Sequence, residues 1–166
     1  MRSRLSCALL VAFIAVAVVA AGTTAASQPS PQPVSSGGTF VFTRTAPPAA
    51  GTASPQVAGQ IQCSLTVDNP HPSSHNPGQV NVVSHVSCDS LVDNIALTTK
   101  LFRAGIQVAS NNDQDFDLPF LNGQANATCL TARYGGTADT TVTAPPGYSP
   151  PYETGHVTGT VVQVNC

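Results

Sequence analysis

The sequence predicts an all-β protein built as an antiparallel β-sandwich, and three observations carry that expectation. Apolar residues recur at every second position in several short runs. Clusters of Pro, Gly and Asn interrupt those runs, and charged side chains make up only 8% of the 166 residues. A period of two places alternate side chains on one face of a strand. Turn signals about every ten residues are the mark of a sandwich or barrel, and no strand–helix alternation suggests a parallel sheet. The charge fraction is about a third of the usual quarter, so long helices would lack the Glu, Lys and Arg their outer faces need. The same scarcity leaves no basic stripe to neutralise phosphates, which excludes a nucleic-acid partner.

The first 26 residues read as a secretory signal peptide. Arg2 and Arg4 form a short positive region, an apolar run extends from Leu5 to Ala21, and small residues follow through Gly22-Thr23-Thr24-Ala25-Ala26. Cleavage after Ala26, with Thr24 two positions before it, satisfies the small-x-small rule. The rival reading is a retained membrane anchor. The apolar run is near the lower length limit for a span, and its small-residue exit favours cleavage, leaving no membrane span. Cys7 precedes most of the apolar run, where a lipid-attachment cysteine would follow it, so it leaves with the signal. The remaining chain carries Arg44, Lys100, Arg103 and Arg133 against eight acidic side chains, a net charge of −4.

Residues 27–56 form a Pro-, Ser- and Ala-rich segment. Within it, Ser27 to Gly38 is a tether with nothing to bury, Thr39 to Thr43 is a short strand, and Ala46 to Gln56 is a second soft stretch. The β domain proper spans 57–166. Ile61, Cys63, Leu65 and Val67 share one face of a first run. In Gln79 to Cys88 the alternation of Val80 and Val82 slips phase near Ser84. Leu91 to Phe102 is the one stretch that could pass for a helix, yet Ile95, Leu97, Thr99 and Leu101 alternate and favour strand. Gly105 to Ala109, Ala127 to Ala144 with its Gly135-Gly136 break, and Val157 to Cys166 complete a count of about eight strands. A mature chain of roughly 140 residues buries about two-thirds of its unfolded surface, enough for a proper core.

Four cysteines remain after cleavage: Cys63, Cys88, Cys129 and Cys166. An even count in an exported chain implies disulfides, and no CxxC or Cys–His spacing suggests zinc. The midpoint between Cys63 and Cys88 falls in the loop Asn69-Pro70-His71-Pro72-Ser73-Ser74-His75-Asn76-Pro77-Gly78. That between Cys129 and Cys166 falls in Pro145-Pro146-Gly147-Tyr148-Ser149-Pro150-Pro151. Proline bars regular structure in both loops. If each folds the chain back on itself, the two cysteines of a pair meet on neighbouring antiparallel strands. The expected linkage is Cys63–Cys88 and Cys129–Cys166. Loops of about 25 and 37 residues closed this way are worth roughly 3–4 kcal/mol each in the chain-entropy model.

The string VSCDSLVDNIAL, the later PPGYSPP and the terminal Val164-Asn165-Cys166 resemble small secreted disulfide-bonded β proteins of actinobacteria, most of them uncharacterised. The likeness covers roughly residues 57–166. It implies a secreted, disulfide-bonded β domain and brings no activity with it. The sandwich read from the strand pattern is immunoglobulin-like in architecture without the Cys-Trp-Cys hallmark, since the chain has no Trp.

Candidate chemistry is sparse. His71 and His75 are four apart, but Pro70, Pro72 and Pro77 forbid the helix on which that spacing would aim both imidazoles at one metal. His85 and His156 stand alone in strand-like runs. Asp113, Asp115 and Asp117 repeat like the opening of a calcium loop. However, Leu118 stands where the tight-turn Gly belongs and Gln124 where the bidentate Glu belongs. A solvated acidic turn is the simpler reading, and no metal or other cofactor is expected. Asp89 and Asp93 read as turn residues between two strands rather than as a catalytic carboxylate pair. No G-x-S-x-G or H-E-x-x-H motif occurs, and Glu153, the one Glu, sits in a flexible-looking loop.

These readings point away from an enzyme. They point towards a secreted, extracellular or envelope-associated interaction protein whose partner is an extracellular protein or envelope component. The alternative is an inhibitor of secreted proteases, although neither Pro-rich loop offers Lys or Arg to a trypsin-like target. If the domain has a partner, Tyr148 and Tyr152 are the expected contacts; the alternative is that they pack on neighbouring Pro rings and stiffen a hairpin tip. Proline lowers the entropy lost when their loop is ordered, and aromatic residues dominate interface energetics.

Overall fold

The computed structural model describes residues 36–46 and 56–166. The expected export signal, the expected tether as far as residue 35 and residues 47–55 of the second soft stretch lie outside the described residues. The nine strands are β1 (Ser36–Ala46), β2 (Gln56–Val67), β3 (His71–Pro72), β4 (Gln79–Arg103), β5 (Ile106–Thr128), β6 (Ala132–Thr143), β7 (Tyr148–Ser149), β8 (Tyr152–Thr158) and β9 (Val162–Val164). All pair antiparallel, and no described residue is helical.

The long hairpin β4–β5 organises everything else. Its turn is Ala104-Gly105, both with positive φ (50° and 82°), the two-residue geometry whose twist matches the flanking strands. Halfway along, Ser87 stands opposite Phe120 but Val92 opposite Leu118. Strand β4 thus advances five residues while β5 advances two, and the surplus residues form a bulge that bends the strand. Asp117 adopts φ 54° at this corner, and Pro119 stands at its crest, tolerated because among the described residues β5 pairs only with β4. Beyond the bend β4 changes partners. Its first half pairs with β2 and its second half with β6.

Two layers result. The first holds β1, β2, the first half of β4 and the second half of β5. The other holds the first half of β5, the second half of β4, β6, β8 and β9. Phe40, Phe42, Ile61, Cys63, Leu65, Val67, Val80, Val82 and Val86 face Ile95, Leu97, Leu101, Tyr134, Ala138, Val142 and Val157 in one buried cluster. The layers meet closely where side chains are absent. A Cβ at Gly136 would lie 2.4 Å from Val82 Cγ2, and one at Gly155 would lie 2.0 Å from the Phe40 ring. Opposite the open β5 edge, β7 pairs with β1 and β8 with β6, so the loop joining β7 to β8 nearly closes the sandwich.

Several expectations are corrected. Strand β1 is longer than the expected 39–43 and takes in Ser36 to Gly38, because its full length pairs with β2. Runs 79–88 and 91–102 are one strand, so Asp89 and Asp93 occupy the bulge and its flank rather than a turn. Asp89 Oδ1 accepts the Gln62 N–H at 3.1 Å. The alternation does not slip at Ser84, which is buried in phase with Val82 and Val86 and hydrogen-bonded to Thr99. The phase changes instead at the bulge, between Val92 and Ile95. Asn111 to Asp117 is strand, not an acidic turn, and Glu153 lies in β8 opposite Val142.

Both expected disulfides are present. Cys63 and Cys88 are direct cross-strand partners of β2 and β4. Cys129 and Cys166 join the β5–β6 connection to the tail beyond β9, which itself pairs with the start of β6. Nearby, the buried Tyr134 donates its hydroxyl proton to Leu130 O at 3.0 Å and accepts the Leu130 N–H at 3.1 Å. A tyrosine hydroxyl bonded to backbone a few residues upstream is a recurrent corner device of sandwiches.

Candidate functional site

The buried, inward residues of β6 are even-numbered, all apolar or glycine except Thr140, whose hydroxyl donates to Ala96 O, so the odd-numbered ones face outward. The register then sets four strands of side chains in rows. Asn112, Thr98, Asp139 and His156 are successive cross-strand neighbours. Gln114, Ala96, Thr141 and Thr154 form the next row, and Phe116, Asn94, Thr143 and Tyr152 the row beyond. β-Branched Thr is favoured on such a pleated, half-exposed surface.

Hydrogen bonds tie this face together. Thr98 Oγ1 donates to Asn112 Oδ1 at 2.7 Å and Gln114 Nε2 to Asn94 Oδ1 at 3.3 Å. At its centre Lys100 Nζ donates to Asp139 Oδ2 at 2.8 Å, and His156 Nδ1 lies 2.6 Å from Asp139 Oδ1. His156 Nε2 is 3.1 Å from Thr158 Oγ1. Partial burial opposes ionisation of Asp139, but the hydrogen bonds and charges of Lys100 and His156 outweigh it and hold the carboxyl below its usual range. A shallow depression of about 450 Å³ lies on this face, lined by Ala96, Thr98, Asp139, Thr141, Thr154 and His156 among others. It exists because Ala96 offers only a methyl group between longer neighbours.

His156 is therefore not solitary. The sequence hid its partners because Asp139 lies 17 residues away and Lys100 reaches it only through the β4–β6 register. The alternate Thr residues of 137–143 and 154–158 were the available signal, and their shared face needed the pairing of β6 with β8. On the other layer His85 is likewise engaged, with Nδ1 2.8 Å from Asn122 Oδ1 and Nε2 3.3 Å from Asp68 Oδ2. His71 Nδ1 lies 3.0 Å from Asn69 O, and His75 is exposed.

The two tyrosines of the Pro-rich loop part company. Tyr148 is half-buried against the core, pairs its backbone with Arg44 and has the Arg44 guanidinium 5.9 Å from its ring centroid. Tyr152 is 60% exposed at the end of the outer-face row. Asp113 and Asp115 lie along extended β5, where alternate residues are about 6.6 Å apart, and Asp117 stands at the bend with φ 54°; the strand does not wrap the three round one ion. Asp113 is held by Asn111 Nδ2 at 2.9 Å. Among the described residues no three His, Cys, Asp or Glu side chains gather as a metal site.

A second surface feature stands at the β4–β5 corner. Leu91, Phe116 and Phe120 are 60%, 61% and 58% exposed and flank the bulge on its two strands. Fold and surface together define a disulfide-bonded all-β sandwich with an ordered polar face and an apolar corner. No protein-family model, curated protein or solved structure matches the chain. No described helix is long and apolar enough to cross a membrane.

Proposed function

We propose that this chain is a secreted, non-catalytic interaction domain that binds an extracellular protein or a cell-envelope component. The observation that carries this reading is the apolar corner of Leu91, Phe116 and Phe120. Three large apolar side chains exposed within one bend of the β4–β5 hairpin are the kind of surface that contact sites present. Two disulfides suit an oxidising compartment, and the resemblance to secreted actinobacterial proteins agrees with that setting. The titratable groups of the outer face are engaged with one another, which supports a recognition role over acid–base chemistry.

The test is chemical cross-linking of the purified protein to culture-medium and envelope fractions, with a Leu91→Ser, Phe120→Ser variant alongside. A partner captured by wild type and lost in the folded variant supports the reading. Capture unchanged in the variant removes the corner from it. Stoichiometric inhibition of subtilisin- or chymotrypsin-type enzymes would replace it with the inhibitor reading.

A further inference from the structure

We infer that the outer face of the second layer is a binding platform for an uncharged glycan, laid across the strands over Ala96. This rests on the reading of the domain as a non-catalytic binding module and adds the ligand class. Of the apolar corner it uses Phe116 alone, and Leu91 and Phe120 are not required for it.

Four observations select this occupant. First, the face is electrically balanced at its centre, where Lys100 and Asp139 neutralise one another at 2.8 Å. Neither a polyanion nor a polycation finds a complementary field there. Second, its side chains are short hydroxyls and amides: Thr98, Thr141, Thr154, Asn94, Asn112 and Gln114. Each pairs with a neighbour or stands at the surface with unused lone pairs or N–H groups, the complement of vicinal sugar hydroxyls. The cross-strand bonds Thr98–Asn112 and Gln114–Asn94 fix these groups before any ligand arrives, which lowers the entropy lost on binding.

Third, within each row successive side chains stand at the strand spacing of about 4.8 Å, close to the length of one pyranose unit. A glycan running across the strands therefore passes one short polar side chain, or the Ala96 methyl, at each residue. The depression over Ala96 gives one unit room to sit below the level of its neighbours. Fourth, the row alongside ends on exposed aromatic rings, Phe116 on β5 and Tyr152 on β8. The C–H face of a sugar ring is apolar and stacks on such rings, while the Tyr hydroxyl remains free to hydrogen-bond.

The probes are soluble dextran, amylopectin, galactomannan and arabinogalactan in affinity gel electrophoresis, and insoluble cellulose and chitin in pull-down. Heparin and DNA are the charged controls. The variants are Ala96→Arg, which fills the depression from an outward-facing position, and Tyr152→Ala. Val41→Ser, on β1 of the other layer, serves as a control away from the face. The expected result is retention by at least one neutral polysaccharide, weakened about tenfold or more by Ala96→Arg and less by Tyr152→Ala, with Val41→Ser unchanged. Circular dichroism and the melting temperature confirm that each variant folds. Four results overturn the inference: no retention by any neutral polysaccharide, retention indifferent to Ala96→Arg, retention by heparin or DNA only, or a self-association of the protein that Ala96→Arg abolishes. If glycan binding is absent while protein capture through the corner persists, the ligand class fails and the interaction reading stands.

Discussion

Ser84 and Thr99 belong to one strand, yet their hydroxyls are hydrogen-bonded to each other inside the sandwich. The bend in β4 between them turns its two halves into facing layers, and the pair ties those halves together where both side chains are fully buried. A Cβ on Gly123, which neighbours Ser84 across the hairpin, would lie 2.6 Å from Thr99 Oγ1, so the approach needs glycine there. Ser84→Ala or Thr99→Val alone strands one buried hydroxyl or loses its bond, at a cost of about 1–3 kcal/mol. The double variant leaves no orphan and is expected to cost less than the sum of the two. Chemical denaturation of the four proteins as a double-mutant cycle measures this coupling.

Tyr134→Phe keeps the ring in the core and removes both hydroxyl contacts to Leu130. The expected loss is about 1–2 kcal/mol. Hydrogen exchange should show faster opening at the Leu130 amide and little change in β2.

Gly155→Ala directs a methyl group into the Phe40 ring, the stiff end of an inward side chain. Destabilisation of about 1–3 kcal/mol is expected from overpacking. Phe40→Leu in the same chain should recover part of it. A thermal melt in which the second substitution only adds damage would contradict this account of the β1–β8 contact.

Under mild reduction of the folded protein, Cys129–Cys166 should open before Cys63–Cys88. Cys166 is exposed and Cys129 half-exposed, whereas Cys63 and Cys88 are buried between the layers, and exchange requires access of a thiolate to sulfur. Alkylation and peptide mapping over a time course read the order directly.

Asp139 is held below its usual value of about 3.8, although burial pushes the other way, because Lys100 and His156 favour its charged form. A depressed folded value means that the carboxylate contributes stability above the unfolded pKa, and that this is lost as pH falls through the folded one. Asp139→Asn should therefore be less stable than wild type near neutrality and approach it below about pH 4. Denaturation midpoints across that range check the sign. An equal deficit at all pH values would assign the effect to packing instead.

Much of this molecule was legible one residue at a time. The alternation of Ile61, Cys63, Leu65 and Val67 was enough to place all four in the core, since a strand with one buried face must repeat every two residues. The two disulfides followed from the symmetry of each cysteine pair about a Pro-rich loop, because an antiparallel register is itself a reflection about its turn. Cys63 meets Cys88 in the same register that sets Val67 against Ser84. The bend in β4 was not legible. Residues 88–93 carry turn chemistry, and only the continuous pairing with β5 keeps them inside one strand. Nor was the outer-face cluster. Lys100, Asp139 and His156 are 56 residues apart end to end, and their meeting depends on which strands pair with β6. A local pattern fixes the face on which a side chain stands. Its neighbours across the sheet are chosen by long-range pairing, a choice made by the burial of the whole core rather than by any one segment.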